Sequence, residues 1–196
     1  MANTPITDKE KLAWDFAKQK HEGQVRRFID KPYFDAHVQK VNGIVKQYTT
    51  DEDLLCAALL HDVCEDCYKN KWEGYRDIRQ HFGKRVADLV MELTSDGDEM
   101  EHRYDKNKTA YLTHKMLHMS PGALIIKLSD RLQNISDAFT ANERFRNKYF
   151  EETSQIMEDI QGGRELNKIH NQLIGEIKAK LDNIQSIFKI KRFRDI

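Results

Sequence analysis

The sequence predicts an all-α fold, a helical bundle formed as one domain over residues 1–196. Three observations carry this. Only 9 Gly and 3 Pro punctuate the chain, too few for the repeated turns of hairpins or a β-sandwich. Helix-start signals recur, at Thr7, at Thr50-Asp-Glu-Asp53 and at Ser120-Pro121. Between them, apolar residues return at three- and four-residue steps, the period of a helix with one buried face.

Taken in order, Thr7-Asp-Lys-Glu10 reads as a capping box in which Thr7 and Glu10 each satisfy the other's free backbone donor. It opens a helix with Leu12, Ala13, Phe16 and Ala17 on one face. Residues 21–32, HEGQVRRFIDKP, are polar and hold Gly23 and Pro32, so they read as a loop. A second helix is expected over about 34–48. The acidic start at residues 50–53 suits the positive pole of the next helix, LLCAALLHDVCED, which is apolar on nearly every side and belongs in the middle of a bundle. Residues 75–94 give one or two helices broken near Phe82-Gly83, and the charged run 95–107 reads as an exposed loop. Residues 108–119 read as helical, and Ser120-Pro121 caps the helix ALIIKLSDRLQNISDAF. From 140 to 192 a long amphipathic stretch, broken near Gly162-Gly163, carries Leu166, Ile169, Leu173, Ile177, Leu181, Ile184 and Phe188 as a core-facing stripe.

Composition narrows the function. Lys+Arg and Asp+Glu are both 32, a formal net charge of zero, which argues against a nucleic-acid binder. The terminal segment KIKRFRD reads as cations at the negative end of a helix. No run approaches the ~18 apolar residues of a membrane span. The N-terminal residues lack the apolar core of a signal peptide, and three cysteines (Cys56, Cys64, Cys67) indicate a reduced, cytoplasmic setting. Cys64-x-x-Cys67 lacks the second ligand pair of a structural zinc site and reads as incidental.

The chemistry concentrates at the end of the apolar helix, in His61, Asp62, Glu65 and Asp66. Ionisable groups emerging from the most buried helix are the strongest local conflict in the chain, and such conflicts mark functional sites. Neighbouring helical residues point about 100° apart, so His61 and Asp62 can share an ion only near the end of the helix axis or at its edge. Uncompensated, this much negative charge is costly to bury; a divalent cation removes the cost and makes water acidic enough to ionise near neutral pH. Asp130 and Asn134, four apart, share a helix face flanked by Lys127 and Arg131, a pattern also met on solvated helices.

The ordered set His21-Glu-Gly-Gln with Arg26-Arg27, Pro32-Tyr33 followed by His37, AALLHDVCED, Glu92-Leu-Thr94 and IKLSDRLQNI resembles the RelA/SpoT hydrolase domain, and in size the stand-alone small alarmone hydrolases. The resemblance covers about residues 21–135. It implies a single HD-type domain that hydrolyses the 3′-pyrophosphate of guanosine tetra- or pentaphosphate (ppGpp, pppGpp) with Mn²⁺ or another divalent metal. It implies metal ligands at His37, His61, Asp62 and Asp130, and catalytic roles for Glu65, Asp66 and Asn134. Substrate contacts fall to Arg26, Arg27 and Tyr33, with Lys108 and its neighbours Arg103 and Lys106 as candidates. Several features depart from the family pattern: three residues separate Tyr33 from His37, Val38 follows His37 where the family has proline, Arg27 and Val63 stand where it has lysine and threonine, and SDGDEMEHRYDKNK replaces the usual loop after Glu92-Leu-Thr94. The competing readings are a phosphohydrolase of the same superfamily acting on another nucleotide or a phosphomonoester, and a non-catalytic nucleotide-sensing module.

Overall fold

The computed structural model describes residues 7–194, with side chains to Ile184. The architecture is all-α, as expected. Helix α1 spans Asp8–Lys20; a π-helical turn, Phe34–Val38, runs into α2, Gln39–Val45. Helix α3 is Glu52–Leu60 and α4 the single turn Val63–Asp66. Then come α5 (Lys71–Phe82), α6 (Lys84–Leu93), α7 (Gly97–Tyr104), α8 (Lys108–His118), α9 (Pro121–Ala138), α10 (Glu143–Gly163) and α11 (Lys168–Arg194).

The centre of the bundle is α3. Every residue from Leu54 to Leu60 is buried, and α1, α2, α6 and α9 all pack against it. Each fully buried leucine there contributes about 1.5–3 kcal/mol. Asp51 starts α3 by accepting from the Asp53 and Leu54 amides. Helix α9 is the second axis, covered by α2, α6, α10 and α11. Its polar residues Ser129, Asp130, Arg131, Gln133 and Asp137 are buried, so the solvated-helix alternative for this segment does not hold. The buried apolar cluster runs from Ala13 to Ile184.

Local differences from expectation have physical causes. Thr7 does cap α1, but the Glu10 carboxylate turns inward to Lys46, at 2.6 Å, instead of back to Thr7. Leu12 is 49% exposed; the buried face of α1 is Glu10, Ala13 and Ala17. Residues 21–32 form a tight loop in which Val25 pairs with Pro32 as an isolated bridge, and Phe28 and Asp30 take positive φ to close it. The charged run after Thr94 is not a loop throughout. Asp96 accepts from the Glu99 amide and starts α7, so one good cap suffices where apolar periodicity is absent. In the C-terminal stripe Leu173, Ile177, Leu181 and Ile184 are buried, Leu166 and Ile169 partly so; the side chains of Phe188 and of KIKRFRD lie outside the described residues.

Two contacts place the site-bearing segments. Glu92 at the end of α6 accepts from the Ser120 amide at 2.7 Å, tying α6 to the start of α9. Gly74 lets α5 approach α4 closely: a Cβ there would meet Cys64 Sγ at 2.9 Å and the Cys64 backbone at 3.2 Å. Gly74→Ala is expected to displace α4 and cost about 1–3 kcal/mol in urea unfolding. An unchanged midpoint and slope would mean that this approach is not needed.

Candidate metal centre

The side chains of interest come from four places in the fold. His37 lies in the π-helical turn, a distortion often found at functional sites. His61 and Asp62 sit in the turn between α3 and α4, where α3 has ended and adjacent side chains can converge. Glu65 and Asp66 follow on α4, and Asp130 and Asn134 project from α9.

His37, His61 and Asp62 offer ligand atoms that all lie within 4.8 Å of one another. His61 Nε2 is 2.9 Å from Asp62 Oδ2 and 3.3 Å from His37 Nε2. Asp130 joins through His37, its Oδ1 lying 3.3 Å from Nε2. The tautomer of His61 follows from its other nitrogen. Nδ1 is 2.8 Å from the Ala58 carbonyl, which can only accept, so Nδ1 carries the hydrogen and neutral His61 presents a lone pair at Nε2. Two imidazole nitrogens and a carboxylate oxygen thus converge, an arrangement that a proton on His61 or a metal ion among the three would satisfy. Nitrogen and oxygen donors of this kind suit a divalent cation of borderline or hard character.

The electrostatics agree. Burial disfavours charge on His61, but the neighbouring Asp62 and Asp130 push its pKa up to about 9. Burial alone would protonate Asp62; His61 and His37 hold it well below the usual carboxylate range. Asp130 is likewise held low against burial, by Lys127 and His37. Lys127, half-buried, is kept charged by Asp130 at 3.0 Å. The field that attracts a proton to His61 also attracts a metal ion.

Around this cluster the expected residues divide. Tyr33 donates to Asp62 Oδ2 at 2.6 Å and its ring lies tilted against His37, so it steadies a member of the cluster. Burial and the Asp62 charge raise its pKa and keep the phenol protonated. Asn134 donates to Asp130 Oδ1 at 2.7 Å and accepts from Arg26. Arg26 also donates to Asp137 at 2.9 Å and lies over the Tyr33 ring. Arg27 does not reach the cluster; its guanidinium lies over Phe28 and Phe145, on the wall of a cavity of about 180 Å³. Arg26, Asn134, Asp137, Ala138 and Tyr149 also line that cavity. Glu65 and Asp66 are exposed, and Glu65 accepts from the Ser95 amide at 2.8 Å. Partial desolvation and the charges of Asp62 and Glu65 push the Asp66 pKa up to about 6. Lys108 is exposed at the start of α8 and is not part of this network.

Sequence reasoning missed Asp137, which anchors Arg26, and the aromatic wall of Phe28, Phe145 and Tyr149. The signal for Asp137 was present: Asp130, Asn134 and Asp137 stand at i, i+4 and i+7, one helix face.

Comparisons with known proteins identify the family of the chain. Residues 13–165 match the HD domain family. The chain is 32% identical to the mouse guanosine-3′,5′-bis(diphosphate) 3′-pyrophosphohydrolase MESH1, over 84% of this chain and 92% of that protein. It is 32% identical to the bifunctional (p)ppGpp synthase/hydrolase SpoT of Escherichia coli, over 88% of this chain but 23% of the relative. An Aquifex aeolicus guanosine-3′,5′-bis(diphosphate) 3′-pyrophosphohydrolase is also 32% identical, with 20% of its length covered. The chain therefore spans about a fifth to a quarter of these long relatives and nearly all of the short one. A solved structure, described as a metazoan ortholog of SpoT that hydrolyzes ppGpp, superposes with a TM-score of 0.71 at 27% identity, covering 92% of this chain and 96% of that one. The chain belongs to the HD domain family and, within it, groups with the MESH1- and SpoT-type proteins.

Proposed function

We propose that this protein removes the 3′-pyrophosphate of guanosine 3′,5′-bis(diphosphate)-like nucleotides, using Mn²⁺ held by His37, His61, Asp62 and Asp130. One observation carries the reading: the cluster of candidate ligands is linked through Asp130 to Asn134 and Arg26, which line a cavity with basic and aromatic walls. The relatives named for this reaction supply the substrate class.

When bound, a divalent ion would make water acidic near neutral pH and offset phosphate charge. The protein's own groups would do the rest. Water attacks the phosphorus attached to O3′, the P–O3′ bond breaks, and pyrophosphate and a 3′-hydroxyl result. Glu65 orients the water. Asp66, with a pKa of about 6, is poised to take the water's proton and return one to O3′. Arg26 keeps guanidinium donors beyond those used on Asp137 and Asn134, and these neutralise the pyrophosphate. Asn134 holds Asp130 and Arg26 in register, and Tyr33 holds Asp62. The nucleoside enters the cavity, where Arg27 and the Phe28 and Phe145 rings offer stacking faces.

The direct test is incubation with guanosine tetraphosphate and Mn²⁺, with separation of products. Guanosine 5′-diphosphate and pyrophosphate are expected; loss of a 5′ phosphate, or nucleotide binding without product, would contradict the reading.

Asp62→Ala is expected to weaken Mn²⁺ binding by about 10²-fold or more and abolish turnover, with the helical circular dichroism spectrum retained. Wild-type metal affinity in that variant would remove Asp62 from the site. In the metal-free protein the Asp66 carboxyl should titrate near pH 6 by NMR. Mg²⁺, a diamagnetic stand-in, should move that titration down, because a cation offsets the Asp62 charge that raises it. An unmoved titration would place the ion elsewhere.

A further inference from the structure

The segment after α6 is gripped from two helices. Tyr111 on α8 accepts from the Asp96 amide at 2.7 Å through its hydroxyl oxygen. Lys115, one turn further along α8, donates to the Leu93 carbonyl at 3.4 Å and to the Thr94 carbonyl. These carbonyls are the negative end of α6, where an ammonium group is favourably placed. Lys71 of α5 pairs with the Asp96 carboxylate. Between these holds lies Ser95, whose amide donates to Glu65 Oε2 at 2.8 Å. Among the described residues no other side chain or amide is hydrogen-bonded to that carboxylate.

Glu65 itself is exposed and sits on a single helical turn, so its own element does little to fix it. A glutamate has three rotatable bonds, and an exposed one samples many rotamers unless something holds an oxygen. The Ser95 amide does so through Oε2 and leaves Oε1 without a hydrogen bond among the described residues. The amide can hold it only while the peptide planes on both sides are fixed. Thr94 O and Asp96 N belong to those two planes, and Lys115 and Tyr111 bind them.

We infer that Tyr111 and Lys115 are positioning residues for the hydrolysis, acting through the Ser95 amide to set the orientation of Glu65. This rests on the proposed role of Glu65 in orienting water. Neither side chain is among the residues assigned to metal or nucleotide, so their loss should affect turnover and leave binding alone. A misplacement of about 1 Å at a reacting group can cost roughly 10²-fold, and losing one of the three holds on the segment should cost about tenfold.

The test is a double-mutant cycle between Tyr111→Phe and Glu65→Gln, read with guanosine tetraphosphate and Mn²⁺, together with amide hydrogen exchange at Ser95. Tyr111→Phe keeps the ring and removes only the acceptor for Asp96. It should lower kcat about tenfold, with KM and Mn²⁺ affinity within about twofold, and speed exchange at Ser95. In the Glu65→Gln background it should cost nothing further, because the group it positions has already been disabled. Lys115→Met should behave alike, and Lys115→Arg should recover part of the loss. Three results overturn the inference alone: wild-type kcat in Tyr111→Phe while Glu65→Gln is impaired, losses that multiply in the double variant, or unchanged exchange at Ser95. Full activity in Glu65→Gln overturns the role of Glu65 itself, and the inference with it.

Discussion

Two imidazoles and two carboxylates crowded together at the edge of the core need positive charge among them, and this constraint organises the protein. His37 and His61 are 1% and 2% exposed, and their Nε2 atoms face each other at 3.3 Å. Since His61 Nδ1 is committed to the Ala58 carbonyl, its Nε2 is the atom that faces the cluster, open to a proton or a metal ion. The fold meets this demand by geometry. Helix α3 ends at Leu60 so that His61 and Asp62 lie in a turn, a π-helical turn presents His37, and α9 carries Asp130 through the core. Shifting any of the three would separate the donors.

Outward from the cluster, charge is passed along in pairs. Asp130 is balanced by Lys127 and held by Asn134; Asn134 accepts from Arg26; Arg26 is anchored by Asp137. The chain runs from the buried donors to the wall of the cavity, so a ligand there is coupled to the cluster through three hydrogen-bonded side chains. Separately, Glu65 leans on the segment that α8 holds. The short motif Glu92-Leu-Thr94 thereby gains a physical reason. Glu92 ties α6 to the start of α9, Leu93 is buried, and the Thr94 carbonyl receives Lys115.

Much of the fold was legible because it rests on caps and periodicity. Asp51, Ser120 and the all-apolar run of α3 announce themselves in the sequence, and α3 ends where its ionisable residues begin. What was not legible depends on partners distant in the chain. Glu10 resembles a capping-box acid, yet its partner is Lys46, 36 residues on. Helix α7 has no apolar stripe and is recognised only by its Asp96 cap. The burial of Arg131, Gln133 and Asp137 cannot be read from α9 alone, since α2, α6, α10 and α11 create it. In the site, His61-Asp62 with Glu65-Asp66 stood out as a local conflict, and the structure brings His37 and Asp130 to the same place. Arg27 and Lys108 fall outside that cluster because the loop geometry and the start of α8 turn them elsewhere.

The central claim is that the buried donor cluster holds a divalent cation. Paramagnetic broadening by Mn²⁺ tests it most directly, with the imidazole resonances of all eight histidines followed during titration. Substoichiometric Mn²⁺ should broaden His37 and His61 first, while His114 and His118, adjacent rings on α8, stay sharp. Broadening that begins at His114 and His118, or leaves His37 and His61 sharp at saturation, would contradict it.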